Sequence, residues 1–284
     1  MSTIHVPVAE SSKAKIVGKA TQLAKPPRNA HGNGLRKILD GSGAIILFLV
    51  VWEVVPQLVL APSARVFLPP LHEVLGALWQ LVASGELWVH AQASLGRSIA
   101  GFALAILTGV PAGLVIAWYP EVKNFLNPLL EVFRNTAALA LLPVFTLLLG
   151  IGETSKISIV VFAAFFPVLL NTILGAQSVD PLLIRAARTL GLTNVEIFAK
   201  VILPSALPTI ITGIRMAGTA SVLVLIAAEM IGAKAGLGYL ITNSQASFLI
   251  PQMYAAILTV SILGFAVNAG LVALERRFSR WNQQ

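Results

Sequence analysis

Four carboxylates lie in or beside the apolar runs of this chain: Glu53, Glu131, Glu153 and Glu229. Acids at suitable spacing, with a histidine relay, could move protons or support hydrolysis. These four form neither a paired-carboxylate motif nor such a relay. The four histidines, His5, His31, His72 and His90, contain no i, i+4 pair, so no helical metal site is expected. Cysteine is absent, which excludes disulfides, thiolate nucleophiles and Cys-based metal centres. Gly150 to Lys156 has the outline of a phosphate loop. It lacks the second glycine before the lysine and follows no strand. No enzymatic constellation remains. If this chain moves a solute uphill, the energy must come from a partner or an ion gradient.

One polar stretch does carry organised chemistry. Asp180 to Pro208 reads DPLLIRAARTLGLTNVEIFAKVILPSALP, a charged interruption between two apolar segments. Asp180 can cap a helix whose first position suits Pro181. Gly191 is placed to end it in a left-handed turn. Thr193 and Glu196 have the spacing of a capping box that starts a second short helix. Pro204 and Pro208 are expected to stop that helix. Helix, bend, helix is more defined structure than a plain connector needs, and it predicts a docking element. Leu183, Ala186, Ala187 and Leu190 fall on one face, and two alanines with Gly191 would let another surface approach closely.

The elements that position this stretch are membrane spans. Hydrophobic residues make up 56% of the 284 and charged residues 11%, and mean hydropathy is +0.83. Soluble domains carry roughly twice that charged fraction. Several runs reach the roughly 20 apolar residues that cross a bilayer. The sequence predicts an all-α, polytopic membrane protein with six transmembrane helices, at about 44–60, 98–118, 136–149 (bent at Pro143), 157–176, 209–231 and 253–274. Residues 62–95 are read as an outer loop carrying short interfacial helices, the 150–156 turn and 233–251 as outer loops, and 120–134 as an inner connector with a short helix. Residues 1–42 read as a basic tail, either a disordered arm or an interfacial helix over Ser11 to Leu23. It is no signal peptide, because about forty polar residues precede the first apolar run. The transmembrane domain is 43–281.

Six spans place both termini on one side. That side collects the basic tail, Lys123, Arg134, Arg185, Arg188, Lys200, Arg215, Arg276, Arg277 and Arg280. The other has Arg65, Arg97, Lys156 and Lys234. The basic side is read as cytoplasmic, and the net charge of +8 as positive-inside loops facing lipid rather than a nucleic-acid surface. Polar groups at or near span ends supply translocation-path candidates for an anion: Glu53, Arg134, Asn135, Asn171, Arg215 and Glu229. For Arg134 and Arg215 snorkelling to lipid phosphate is the competing role. Asn268 is read as a helix–helix contact, and the five tryptophans as interface anchors.

Arg185-Ala186-Ala187, three residues, Gly191, nine residues, then Val201-x-Leu203-Pro204 resembles the EAA---G---------I-LP signature of ABC importer permeases, with Arg185 in place of the usual Glu. Phe67 to Pro70, Ser84 to Trp88, Arg97 to Phe102, Arg134-Asn135, Gly150 to Lys156, Glu229, Gly236 to Gly238 and Leu274 to Arg277 extend the likeness. From about Gly43 to Trp281 the chain resembles the permeases of the nitrate/sulfonate/taurine importer family, sulfonate permeases in particular. The resemblance implies a type I ABC importer permease fold and a bacterial inner-membrane location. It implies a second permease chain, a cytoplasmic ATPase that holds ATP and Mg, and a periplasmic or lipid-anchored solute-binding protein. No cofactor is implied on this chain. The ATPase-coupling residues would be Arg185, Ala186, Ala187, Leu190, Gly191, Val201, Leu203 and Pro204. The solute would be a small anion, an aliphatic sulfonate first, then taurine, nitrate or bicarbonate. A channel or ion-coupled carrier, and a membrane scaffold, are the rival readings; the lack of a clear internal repeat weighs against a carrier.

Overall fold

The computed structural model describes residues 33–279, and their regular structure is entirely helical. The expectations for residues 1–32 and 280–284 lie outside the described residues. The first helix, α1 (Asn33–Leu58), opens inside the segment read as a tail and passes through Gly34. The chain divides into two compact units at Trp52 and Glu53. In the first unit Ile45, Ile46, Leu47 and Phe48 are exposed, as suits a helix solvated by hydrocarbon, and the Phe48 and Trp52 rings meet edge to face at 5.9 Å.

The second unit holds α2 (Pro62–Arg65), α3 (Leu71–Ala83), α4 (Glu86–Trp118), α5 (Pro120–Arg134), a 3-10 turn (Ala138–Leu141), α6 (Leu142–Leu149) and α7 (Glu153–Gln177). Then come α8 (Pro181–Thr189), α9 (Asn194–Ile197), a π turn (Phe198–Ile202), α10 (Leu203–Glu229), α11 (Leu237–Ala246) and α12 (Ile250–Ser279). Among the described residues four helical stretches are long and apolar enough to cross a membrane: α4, α7, Asn194–Glu229 and α12. A fifth exists if α5 and Ala138–Leu149, bent by 89°, are one broken span, and Gly43–Leu58 is a shorter apolar helix. Length and composition alone therefore give four or five spans, not the six expected.

The differences have local causes. The second expected span begins twelve residues early, because Gly85 (φ +80°) turns the chain straight into α4 at Glu86. At 33 residues α4 is about 50 Å long, more than the hydrocarbon needs, so it projects beyond it. The third expected span is not one helix. The Asn135 side chain donates to the Glu131 carbonyl at 2.8 Å and the Thr136 hydroxyl to that of Val132 at 2.9 Å, closing α5. Pro143 then sits in the first turn of α6, where its missing N–H costs nothing, and so starts a helix instead of bending one. Glu153 to Lys156 belong to the first turn of α7, not to a loop. The expected loop 233–251 contains α11, whose Leu237, Leu240 and Ile241 are buried.

Packing is set by small residues. Gly101, Ala105, Gly109 and Gly113 recur every fourth position of α4 and meet Val160, Ala164, Val168 and Thr172 of α7. A Cβ on Gly113 would lie 2.7 Å from Thr172 Cβ and 2.9 Å from the Leu169 carbonyl oxygen. Gly175 approaches the Ala206 carbonyl of α10 in the same way. Lipid offers no hydrophobic drive for helix association, so such close approach supplies the dispersion contact that holds spans together. Gly113→Ala is expected to destabilise the bundle by about 1–3 kcal/mol through overpacking. Gly96→Ala, on the same helix but with nothing within 4 Å of the added Cβ, should stabilise by up to ~1 kcal/mol through helix propensity. Thermal unfolding in detergent ranks the two, and equal midpoints would discard the stripe as the basis of packing.

Candidate functional site

The charged interruption folds into an elbow from local signals. Asp180 Oδ1 accepts the Leu182 N–H at 2.8 Å and opens α8. At the other end the Gly191 N–H donates to the Arg188 carbonyl (3.0 Å) and the Leu192 N–H to that of Ala187 (3.2 Å). With Gly191 at φ +78°, this is a Schellman motif. Thr193 Oγ1 accepts the Glu196 N–H at 3.3 Å, and Glu196 returns the bond to the Thr193 N–H at 3.0 Å, completing the capping box. Lys200 Nζ reaches the same carboxylate at 2.8 Å.

Pro204 and Pro208 do not stop the second helix, contrary to expectation. The chain widens into the π turn at Phe198–Ile202, and the Leu203 N–H reaches back to Phe198. A wide turn absorbs the missing donor and the bulk of Pro204, and the helix runs on to Glu229.

Val179, Ala187, Ile197 and Ile202 make a small core inside the elbow, flanked by Trp118, Ile184, Leu192, Phe198 and Val201. Of the expected coupling residues, Arg185, Ala186, Leu190, Gly191 and Pro204 are exposed, and Val201 and Leu203 are half-buried. Ala187 is only 6% exposed. Its small side chain lets α8 seat on its own core, so it cannot belong to an outward face. That face is Leu182, Leu183, Ala186 and Leu190, continued by Val195, with Arg185 and Arg188 beside it.

The path candidates scatter. Arg134 and Asn171 line one open cavity of about 370 Å³, walled by Phe133, Phe162, Phe166 and Met216. Arg134 also pairs with Glu131 at 3.1 Å, one turn away. Asn171 donates its amide to the Pro167 carbonyl at 2.8 Å, leaving its oxygen free of that bond. Asn135 serves as the cap of α5. Glu53 lies elsewhere, its Oε1 2.7 Å from His72 Nδ1 and 2.6 Å from the Gln57 amide. Arg215 pairs with Glu275 of α12 at 3.0 Å, and Thr212 shares that acid at 2.9 Å. Glu229 is completely buried and does not line the cavity.

Glu229 instead joins a cluster that the sequence reading missed. Arg97 Nη1 donates to it at 2.6 Å and Ser94 Oγ at 2.7 Å, while Arg97 also binds Glu153. A signal existed. His90, Ser94 and Arg97, at i, i+4 and i+7, put three polar groups on one face of an apolar helix.

Comparison with known proteins places this geometry. The family described as binding-protein-dependent transport system inner membrane component matches residues 109–280. The chain is 35% identical over 252 residues to the taurine transport system permease protein TauC of Escherichia coli (strain K12), covering 87% of this chain and 91% of that one. It is 34% identical over 257 residues to the putative aliphatic sulfonates transport permease protein SsuC of Bacillus subtilis (strain 168), covering 90% and 91%. In fold it is similar to a chain of the MetNI methionine ABC transporter in an inward-facing conformation, with a TM-score of 0.60 at 19% identity over 68% of this chain and 96% of that one.

The elbow's turn has an internal control. Phe248 (φ +56°) holds the position in α11 that Gly191 holds in α8. Its N–H donates to the Gln245 carbonyl at 3.1 Å, and that of Leu249 to the Ser244 carbonyl at 2.9 Å. Gly191→Ala is expected to cost about 1 kcal/mol from the left-handed backbone alone, since nothing lies within 4 Å of the new Cβ. Phe248→Gly should gain about as much, because the ring is 74% exposed and loses little burial. Denaturant unfolding of the two purified variants measures both signs, and a stable Gly191→Ala protein would contradict the turn assignment.

Proposed function

The chain belongs to the binding-protein-dependent transport system inner membrane component family, and from that premise we propose how its parts divide the work. The family membership makes it the membrane permease of an ABC importer, a transport subunit whose ATP is hydrolysed on a separate ATPase, with a solute-binding protein as the other partner. The proposal concerns the residues, the solute and the assembly.

The elbow is the surface that docks on the ATPase. One observation carries this: α8, capped at both ends and outside the apolar spans, turns Leu182, Leu183 and its C-cap Leu190 outward. Exposed apolar side chains on so defined a surface need a protein partner. Arg185 and Arg188 at its rim call for acidic groups opposite them. Gly191 gives the turn its shape, Ala187 seats it, and Val201, Leu203 and Pro204 join it to α10. ATP and Mg stay on the partner. Rotation of the docked elbow then moves α10 as a body and shifts a two-state bundle between inward-open and outward-open.

The solute is a small anion, with an aliphatic sulfonate or taurine first, since the relatives carry those names, and nitrate or bicarbonate after them. Its path follows the cavity of Arg134 and Asn171, where a guanidinium and an amide stand against aromatic walls. A second copy of the permease completes the pore. Met216, which lines that cavity, and Leu223 and Met230, exposed at seven-residue intervals beyond it, support such a contact. The charge asymmetry of the loops supports cytoplasmic termini in a bacterial inner membrane and contact of the basic side with anionic lipid.

Pull-down of the tagged permease after co-expression should recover an ATPase subunit, and uptake of sulfonate into proteoliposomes should require ATP and the binding protein. Gly191→Trp fills the turn with bulk on the docking face. It should leave the complex assembled and lower ATP-driven uptake about tenfold or more, within the usual range of coupling energies. Full uptake by an assembled Gly191→Trp complex would remove the elbow from the coupling route.

A further inference from the structure

The buried cluster at the other end of α10 is built around the segment that follows it. The Glu229 carboxylate accepts from Arg97 Nη1 (2.6 Å), Ser94 Oγ (2.7 Å) and the Gly238 N–H (3.1 Å). Arg97 Nη1 also donates to the Ala235 carbonyl at 2.7 Å, and Nη2 reaches Glu153 at the start of α7 at 2.7 Å. Ser94 Oγ accepts the Leu237 N–H at 2.8 Å, and His90 Nδ1 accepts that of Gly236 at 3.1 Å. Lys156 Nζ donates to the carbonyls of Gly152 (3.1 Å) and Gly232 (3.4 Å). Three spanning helices thus hold residues 232–238, the loop after α10 together with the start of α11.

The fit leaves no slack. A Cβ on Gly236 would overlap the Glu229 carboxyl group, and one on Gly238 would overlap the Ile226 carbonyl. This close approach and the shared hydrogen bonds tie the loop to the end of α10. Among the described residues Arg97 alone touches both acids, and its planar fork suits two carboxylates at once where an ammonium would serve one. A buried acid deprived of such a partner is strongly unfavourable. From Asn194 to Glu229 the helical path is continuous over 36 residues, a rod of about 54 Å. The elbow is at one end of that rod and the clasp at the other.

We propose that Arg97 and Glu229 are positioning residues for coupling: they fix the loop 232–238 to α10, so that docking of the solute-binding protein on that face is transmitted along the helix to the elbow and the ATPase. The proposal rests on the permease reading above. It treats α10 as the two-state element biased from both ends, which is what reciprocal coupling between distant sites requires.

The test uses the whole transporter, permease and ATPase in proteoliposomes, with ATP hydrolysis measured with and without solute-loaded binding protein. The wild-type complex must show stimulation. If it fails to assemble or to respond, the permease reading fails, not the clasp. Glu229→Gln keeps the shape and the acceptor for Ser94 and Gly238 but removes the ion pair; Arg97→Lys keeps the charge but cannot bridge both acids. Each is expected to assemble with basal hydrolysis within about twofold of wild type, while stimulation by the binding protein falls about tenfold. A purely structural role would lower basal and stimulated rates together. Wild-type stimulation in either assembled variant overturns the proposal. So does an equal fall in both rates, or loss of assembly in both variants, since the clasp would then be a folding element only.

Discussion

In hydrocarbon a helix has no water to be driven from, so its neighbours must be held by contact and by whatever polar groups it can afford to bury. Here contact comes from α4 and α7, which meet through Gly101, Gly109 and Gly113 against Val160, Val168 and Thr172. Thr172 satisfies its own hydroxyl by donating to the Val168 carbonyl at 2.7 Å, so it needs no polar partner across the interface. The third member, α10, joins by the same device at Gly175 and Gly213. Because the backbones nearly touch, small rotations of one helix are opposed by the next. A bundle of this kind shifts as a unit or not at all.

That property bears on the proposal that the elbow is a docking element. A docking element on a flexible linker would absorb a push. This one enters α10 through a π turn that keeps the helix continuous past Pro204. Its own core, with Ala187 and Ile197 at the centre, fixes α8 against the base of the same helix. The outward leucines are thus tied to the bundle by covalent helix and by packing. Arg215 and Glu275 add a link from α10 to α12 at 3.0 Å, so the last span is connected as well.

What could be read from the sequence were features decided within a few residues. Asp180, Gly191, Thr193 and Glu196 act on backbone groups two to four positions away, and all four behave as their spacing predicts. Membrane class and helical content follow from composition. The break of the third expected span was not legible as such, because Pro143 suits a helix start as well as a bend, and only the capping by Asn135 and Thr136 decides. Pro204 and Pro208 were misread for the reason that a π turn has no sequence signature of its own. Ala187 was assigned to the wrong face because helical spacing gives an angle but not which angle is inward. The clasp joins residues 132 positions apart in Arg97 and Glu229, and no local pattern reveals a partner at that distance.

The clasp also bears on why Arg97 and Glu229 stand within apolar helices. Glu229 is fully buried and would be prohibitive alone, yet Arg97 cannot be buried alone either. In general a buried ion pair stabilises a fold no more than well-packed apolar side chains would. What an apolar pair could not do is choose. A guanidinium fork with defined acceptors on Glu229, Glu153 and the Ala235 carbonyl constrains the register of α4, α7, α10 and the loop more narrowly than apolar surfaces do. On the proposal above the cluster contributes position rather than net stability, and it sits where a rod must be gripped if motion at one end is to be felt at the other.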